Sequence, residues 1–307
     1  IVSRIKIMGN LDISEKRIPQ DGRTRMVIDG REIDFRISSL PSIHGEKMVL
    51  RILDRTHALM PLQDLGFSAE NMDKITSLIR RPHGMIVVTG PTGSGKTTTL
   101  YSILTEINVT ERNIVTLEDP VEYSLVGINQ VQINTKAGLN FPAGLRAILR
   151  QDPDIIMVGE MRDTETTELG VRAALTGHLF FSTLHTNSAS GTIARMVNMG
   201  VENYLLSSSL IGVISQRLIR RLCPDCKEPY YLDEPAARRL GMEGYADREF
   251  YRPVGCNMCR QSGYSGRMAL HEVLVLGPQM RAAINNHINS EDELENIARQ
   301  EGMITMR

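Results

Sequence analysis

The sequence has 307 residues, of which 41% are hydrophobic and 23% charged, values that are typical of a folded globular protein and exclude a disordered or fibrous chain. A formal net charge of −1 lacks the strong excess of basic residues that most nucleic-acid-binding proteins carry, so we expect no direct nucleic-acid contact. No apolar run approaches the roughly 20 residues that a membrane-spanning helix needs. Membrane contact is therefore expected only through partners. The sequence opens on an amphipathic stretch with no initiator Met, and we expect an upstream domain in a longer protein.

Residues 1–80 are expected to form a small α+β domain. Apolar and polar residues alternate over 33–37, turn residues follow over 41–45, and a second stretch with strand character covers 46–53. This order predicts an antiparallel pair of strands. A helical pattern then runs over 65–81 and ends before a proline.

Between residues 81 and 222, short continuous apolar runs alternate with helical patterns. Such runs are typical of strands buried on both faces, and their alternation with helices predicts a mostly parallel sheet in an α/β core. The runs cover 85–88, 114–117, 155–158 and 179–181.

A glycine-rich segment between the first of these strands and the next helix matches the pattern GxxxxGK[ST]. Its glycines allow backbone N–H groups to turn around phosphate oxygens, and the helix N-terminus favours the same anion. Lys96 is predicted to reach the β- and γ-phosphates, and the Thr97 hydroxyl to hold Mg²⁺. An ordinary glycine-rich turn would not combine strand, loop, lysine, hydroxyl and helix. The predicted nucleotide-binding residues are Gly90, Pro91, Thr92, Gly93, Ser94, Gly95, Lys96, Thr97 and Thr98.

Acidic residues follow two of the predicted strands, at the sheet edge where ligands of parallel sheets bind. Glu118 and Asp119 come after the run 114–117, and Glu160 comes after 155–158. Either glutamate could orient the attacking water and accept its proton, while the other could hold a magnesium-bound water. A helix N-cap or a solvated loop is the ordinary alternative for each carboxylate taken alone.

Two histidines flank the run 179–181. His178 is expected to be a hydrogen-bonded structural residue, the commoner role for a single histidine. His185, in the segment Thr-Leu-His-Thr-Asn after a strand end, is the better candidate for a sensor of the γ-phosphate.

The four cysteines form two CxxC pairs, Cys223 with Cys226 and Cys256 with Cys259. Two thiolates from each of two tight turns complete a tetrahedral shell, so the pattern predicts Zn²⁺ in a structural site with no open position. A redox-active pair is disfavoured because neither CxxC opens the helix of a thioredoxin-like unit. We expect a zinc subdomain over 223–271 and a helical segment over 272–307.

Four stretches resemble the type II secretion and type IV pilus assembly ATPases. They are the opening signature from Ser3 to Gly22, the Asp box around Thr-Leu-Glu118-Asp119-Pro-Val-Glu122, the unusual Walker B ending in Val-Gly-Glu160-Met-Arg162-Asp163, and the His box from Thr176 to Asn187. In this Walker B, glutamate replaces aspartate. The four stretches come in the family's order and run along almost the whole chain.

The resemblance implies a RecA-like P-loop core with a small N-terminal PAS-like domain. It implies that Glu118 is the favoured general base and that Glu160 acts around the metal. It also implies that Arg36 and Arg51 of the small domain reach the phosphates, although from spacing alone both could be surface arginines on an exposed strand face. A guanidinium there would stabilise charge that develops on the γ-phosphate.

The implied function is that of a cytoplasmic homo-hexameric ATPase, peripheral to the inner membrane, which hydrolyses ATP with Mg²⁺ and works through inner-membrane platform proteins. It would power protein secretion or assembly of a pilus or pseudopilus. The tetracysteine favours assembly over retraction, because retraction ATPases of the family generally lack it. The alternatives left open are a nucleic-acid-translocating motor, a pilus retraction ATPase, and a nucleotide-gated binding module that hydrolyses poorly.

Overall fold

The structure is a computed structural model that describes residues 1–54, 60–245 and 248–306. Residues 55–59, 246–247 and 307, which fall inside the predicted segments 1–80, 223–271 and 272–307, lie outside the described residues. Contacts divide the chain into two compact units. The first unit comprises Ile1–Met60 with Glu122–Ser124, and the second comprises Pro61–Val121 with Leu125–Arg307.

The described residues of the first unit form one helix and one antiparallel sheet, as expected for an α+β unit. Helix α1 (Val2–Met8) precedes the strands β1 (Gln20–Ile28), β2 (Arg31–Ser42) and β3 (Gly45–Asp54), which lie in the order β1-β2-β3. Strands β2 and β3 are the predicted antiparallel pair, joined at Ser42 and Gly45. Lys6 of α1 is buried, donates to the carbonyl oxygen of Glu15 at 2.7 Å and pairs with Glu46.

The second unit is built on a seven-stranded sheet with the order β12-β9-β4-β8-β7-β5-β6. All neighbours in it are parallel except β12 and β9, so the predicted mostly parallel sheet is confirmed. Its strands are β4 (Gly84–Thr89), β5 (Ile114–Glu118), β6 (Asn129–Gln132), β7 (Ile155–Val158), β8 (Leu179–Leu184), β9 (Leu210–Leu222) and β12 (Tyr264–Val275). A separate two-stranded antiparallel sheet pairs β10 (Glu228–Tyr231) with β11 (Glu249–Arg252).

Helices alternate with the strands, as an α/β core requires. They are α2 (Ala69–Ile79), α3 (Lys96–Glu106), α4 (Phe141–Ile148), α5 (Thr164–Leu175), α6 (Ala189–Asn198), α7 (Asn203–Ser209), α8 (Glu234–Arg239), α9 (Pro278–Asn285) and α10 (Glu291–Gln300).

Helix α2 is shorter than the predicted helix over 65–81. A 3-10 turn, Leu62–Leu65, comes first, and Gly66 ends it with a φ of 82°, a left-handed conformation that favours glycine. The helix then begins after Ser68, whose side chain accepts a hydrogen bond from the Asn71 N–H. It belongs to the second unit.

The core of the second unit covers both faces of the sheet. Met85 and Val87 of β4 join a large apolar cluster, while the alternate residues Ile86 and Val88 point the other way and are equally buried. A strand that is covered on both sides has no polar face, which explains the continuous apolar runs in the sequence. Among the described residues, no helix combines the length and the apolar character needed to cross a membrane.

Candidate active site

The glycine-rich loop lies between the end of β4 and the start of α3, as the pattern predicts. Gly93 and Gly95 have φ values of 78° and 90°, conformations that side-chain-bearing residues rarely adopt. At Gly90, a Cβ atom would lie 2.3 Å from the carbonyl oxygen of Gln216. The loop therefore depends on glycine for two reasons, left-handed backbone and close approach to β9.

The N-terminus of α3 is suited to an anion. Its N-cap is Gly95, no side chain makes a capping hydrogen bond there, and its first turn contains no acidic residue. The unpaired N–H groups and the helix dipole favour negative charge at this point. Lys96 Nζ donates to the carbonyl oxygens of Gly90 at 2.8 Å and Pro91 at 3.1 Å, so its ammonium group lies across the loop.

Gln216 of β9 makes hydrogen bonds to the glycine-rich loop and to α3. Its Nε2 donates to the Ser94 carbonyl oxygen at 2.6 Å, and its Oε1 accepts from Thr99 Oγ1 at 2.8 Å. Gln216 is buried, so these bonds are shielded from water. No local sequence pattern marks Gln216, because only the pairing of β9 with β4 brings it to the loop.

Four charged or titratable side chains meet beside the loop, and we call them the Lys96 cluster: Lys96, Glu160, Arg162 and His185. His185 Nδ1 lies 3.4 Å from Lys96 Nζ, and His185 Nε2 lies 3.8 Å from Glu160 Oε2. Arg162 Nη2 lies 2.5 Å from Glu160 Oε1. The structure thus brings together three of the predicted site residues and adds Arg162.

The pKa values of Lys96, His185 and Arg162 are shifted by their surroundings in the Lys96 cluster. Burial lowers the pKa of Lys96, against the opposing effect of the Glu160 carboxylate. Burial also lowers the pKa of His185, and the neighbouring Lys96 ammonium acts in the same direction. The Glu160 carboxylate raises the pKa of Arg162 by accepting its hydrogen bond. Because its pKa is lowered from 6.5, the His185 imidazole is mainly neutral at neutral pH.

Glu118 lies in a different environment from Glu160. The residue is 3% exposed, and its carboxylate accepts hydrogen bonds from Thr116 Oγ1 at 2.6 Å, from Gln130 Nε2 at 3.1 Å and from the Tyr101 hydroxyl. Tyr101 belongs to α3, the helix that follows the glycine-rich loop. Glu118 therefore connects this helix to β5 and β6.

Two further predicted residues take different positions. Asp119 is exposed, and its charge contributes to the raised pKa of Arg162. His178 Nδ1 lies 2.9 Å from the Ala173 carbonyl oxygen near the end of α5, as expected of a hydrogen-bonded structural histidine.

Arg36 and Arg51 are direct cross-strand partners in the first unit. The register of β1 places Arg23 opposite Arg36 as well, so three arginines form one row across the sheet. Arg36 pairs with Glu122. The sequence analysis missed Arg23, which the turn Asp29-Gly30 between β1 and β2 brings into register.

The four cysteine sulfur atoms lie within 4.8 Å of one another. Three of the separations are 3.9 Å (Cys223 to Cys256), 3.8 Å (Cys226 to Cys259) and 3.7 Å (Cys256 to Cys259). Zn–S bonds of about 2.3 Å in a tetrahedron require sulfur atoms about 3.8 Å apart. The geometry of the donors therefore fits one Zn²⁺ held by all four.

The thiols of this group differ in acidity. Burial raises the pKa of Cys223 to about 12. For Cys259, burial acts in the same direction but is outweighed by hydrogen bonds, chiefly from the N–H groups of Cys256 and Gly263, and the pKa falls to about 6. Backbone N–H groups that point at sulfur are the usual support of a thiolate ligand.

Comparison with known proteins identifies the family of the chain. A family model described as type II/IV secretion system protein matches residues 1–307. The chain is 54% identical over 302 residues to the type II secretion system protein E of Pseudomonas aeruginosa, covering 98% of this chain and 60% of that protein. It is 50% identical over 291 residues to the type II secretion system ATPase E of Vibrio cholerae, covering 95% of this chain and 58% of the relative. The chain thus spans about 60% of the length of these relatives.

Solved structures show the same fold. The pilus retraction motor PilT with bound ADP superposes with a TM-score of 0.66 at 30% identity, over 94% of this chain and 76% of PilT. The ATPase DotB of Legionella pneumophila has a TM-score of 0.60 at 24% identity, over 94% of this chain and 76% of DotB, and supports the fold alone. From the match along its whole length and its high identity to these relatives, the chain belongs to the type II/IV secretion system protein family.

Proposed function

We propose that the chain is the motor part of an ATPase that hydrolyses ATP with Mg²⁺ to power type II protein secretion through assembly of a pseudopilus. The observation that carries the proposal is the Lys96 cluster beside an uncapped helix N-terminus. It combines an anion site, a lysine and a carboxylate at one edge of a parallel sheet. The identity of about 50% or more to proteins named for type II secretion supports the choice of process.

The residues of the loop fit a triphosphate. Backbone N–H groups at the start of α3 and the Lys96 ammonium would hold the phosphates, and the Thr97 hydroxyl would hold Mg²⁺. Bound Mg²⁺ supplies charge neutralisation for the transferring phosphoryl group.

Of the two glutamates, we assign the general-base role to Glu160. Its carboxylate lies in the Lys96 cluster, whereas the Glu118 carboxylate accepts its described hydrogen bonds from Tyr101, Thr116 and Gln130. A base must come within hydrogen-bond reach of the water that it activates. Glu118 then acts by holding α3 against β5, and Asp119, which is exposed after it, is available to a magnesium-bound water.

The arginine row is the second element of the proposal. Arg36 and Arg51, with Arg23 beside them, would supply positive charge to the γ-phosphate, as arginine fingers do. Arg36, at the centre of the row, already pairs with the Glu122 carboxylate, so the proposed role of the row at the phosphate is supported by the family resemblance. We also propose that the first unit is PAS-like and that the motor assembles as a homo-hexamer, as the family resemblance implies.

Zinc at the tetracysteine has a structural role in this proposal, because four protein ligands leave no position for water. The family's extension ATPases carry this site, so its presence favours assembly over retraction. The proposed location is cytoplasmic, at the inner membrane, with platform proteins of that membrane as partners.

Phosphate release from ATP by the full chain tests the proposal. The wild-type protein should turn over ATP with Mg²⁺ and stop when EDTA is added. Lys96→Ala should lower the turnover number about 100- to 1000-fold, the typical loss when one charge-stabilising donor is removed. Lys136→Ala, at an exposed lysine outside the Lys96 cluster, is the matched control and should keep wild-type turnover. Wild-type turnover in purified, folded Lys96→Ala would refute the site.

A further inference from the structure

Thr89, the last residue of β4, makes contact with the backbone on both sides of His185. Its Oγ1 accepts a hydrogen bond from the Thr186 N–H at 2.9 Å and lies 3.1 Å from the Leu184 carbonyl oxygen, to which it donates. These two groups belong to the residues before and after His185. Thr89 is fully buried, so water does not compete for its hydroxyl.

A chain of hydroxyl groups extends from Thr89 into the next helix. Thr186 Oγ1 lies 2.7 Å from Thr89 Oγ1 and 2.8 Å from Thr192 Oγ1 of α6. Thr192 is also fully buried, and its hydroxyl donates to the Ser188 carbonyl oxygen at 3.1 Å. The three hydroxyls therefore tie the segment after β8 to the end of β4 and to the first turn of α6.

His185 itself has little packing to hold it. Its side chain is 52% exposed, and its described polar contacts are with Lys96 and Glu160 of the Lys96 cluster. A side chain with so much freedom takes its position mainly from the backbone that carries it. That backbone is held by Thr89, which directly precedes Gly90, the first residue of the phosphate loop.

We propose that Thr89 is a positioning residue that sets His185 against Lys96 and Glu160, so that one buried hydroxyl couples the phosphate loop to the histidine loop. The proposal rests on the ATPase function proposed above. It assigns Thr89 no contact with nucleotide. Because the Thr89 hydroxyl acts through His185, its loss affects the alignment of the Lys96 cluster more than the binding of the phosphates.

The first test replaces the hydroxyl with a group of the same shape. Thr89→Val should lower the turnover number about 10- to 100-fold, the range expected when a catalytic group is displaced by about 1 Å. The KM for ATP should change less than about twofold, since the loop that binds the phosphates remains. Thr89→Ser keeps the hydroxyl and should restore turnover.

Thr167→Val is the matched control. Thr167 of α5 is equally buried, and its hydroxyl donates to the Asp163 carbonyl oxygen at 2.8 Å within one helix. It should leave turnover unchanged. Turnover that falls equally in Thr167→Val and Thr89→Val would mean that any lost buried hydroxyl has this effect, and would overturn the proposal.

A double-mutant cycle separates positioning from general structural support. In a His185→Ala background, the further change Thr89→Val should lower turnover less than about twofold, because the residue through which it acts is gone. An undiminished effect of Thr89→Val in that background would contradict the proposal.

Amide hydrogen exchange gives a result that does not depend on ATP hydrolysis. The Thr186 N–H should exchange about tenfold faster or more in Thr89→Val than in wild type, because it loses its acceptor. If Thr89→Val does not fold, Thr186→Val replaces it in this test, because Thr186 is partly exposed. This variant should also lower turnover. Unchanged exchange at residues 184–188 would overturn the inference alone, whereas absent wild-type turnover would count against the ATPase function.

Discussion

His185 and Glu160 face each other from the ends of neighbouring strands, with His185 Nε2 3.8 Å from Glu160 Oε2. Both side chains lie beside Lys96, the residue that the glycine-rich loop presents at the start of α3. Two separate segments of the sequence thus supply a carboxylate and an imidazole to one point at the edge of the sheet. This meeting distinguishes Glu160 from Glu118.

Glu160→Gln should abolish steady-state turnover while ATP binding remains. Loss of a general base costs about 100- to 10,000-fold in rate, and the amide keeps the size of the carboxylate. Turnover and binding of a fluorescent ATP analogue would be measured on the same preparation. Glu165→Gln, an exposed glutamate of α5 that pairs with Arg146, is the matched control and should behave as wild type. A Glu160→Gln protein with more than about a tenth of wild-type turnover would argue against the base assignment.

Tyr101→Phe should destabilise the fold more than any change at a surface tyrosine. It leaves a buried carboxylate, Glu118, without one of its donors, which costs about 1–3 kcal/mol in the free energy of unfolding. Urea unfolding followed by circular dichroism measures this. Tyr204→Phe removes the hydroxyl of a tyrosine that is 60% exposed and should have no effect. Equal unfolding midpoints for both variants would show that Glu118 does not tie α3 to β5.

The tetracysteine should hold about one zinc ion per chain, as a four-ligand structural site does. Cys226→Ser should lose the metal and lower the unfolding temperature, because the site closes the segment between β9 and β12. Met258→Ala, between Cys256 and Cys259 but with a side chain that is 80% exposed, should keep the zinc ion and the wild-type unfolding temperature. Metal analysis of the purified chain would check this, and the finding of reduced thiols with no zinc would contradict it.

His271 of β12 should make stability fall in mild acid. Burial lowers its pKa to about 4 from an ordinary value of 6.5, and both buried ring nitrogens are without a hydrogen-bond partner in the described chain. The unfolded chain binds a proton as the pH falls through 6.5, whereas the folded protein does not until about pH 4. The stabilisation is therefore complete above pH 6.5 and is lost between these values, by ~3 kcal/mol.

Replacement of His271 tests this assignment. His271→Phe keeps a ring stacked on Phe67, where the centroids are 3.7 Å apart, and removes the titrating group. The free energy of unfolding of His271→Phe and of wild type should be measured at several pH values between about 7.5 and 4.5. It should fall less with pH in the variant, because the contribution of His271 is absent. His83→Gln at an exposed position should retain the full decline. A His271→Phe protein with the same pH profile as wild type would show that another group is responsible.

The sheet could be predicted because its strands are buried on both faces. The run 155–158 coincides with β7, and the glycine-rich loop is defined by glycines that local backbone conformation requires. Both signals lie within a few consecutive residues. The same is true of the cysteine pairs.

The roles of the two glutamates could not be distinguished in this way, because each follows an apolar run in the same manner. Their difference depends on Tyr101 and Gln130 for Glu118 and on His185 for Glu160, contacts that the packing of distant segments creates. Thr89 was missed for the same reason. Its partner Thr186 follows the carboxyl end of the neighbouring strand β8, and only the parallel pairing of β4 with β8 brings the two residues together.

The most direct measurement is a structure of the full chain with Mg²⁺ and a non-hydrolysable ATP analogue. The account predicts the triphosphate at the N-terminus of α3, with Lys96 Nζ on the β- and γ-phosphates and the Glu160 carboxylate one water molecule from the γ-phosphorus. A structure with nucleotide bound elsewhere, or with Glu160 turned away from the γ-phosphate and Glu118 on the attacking water, would contradict it.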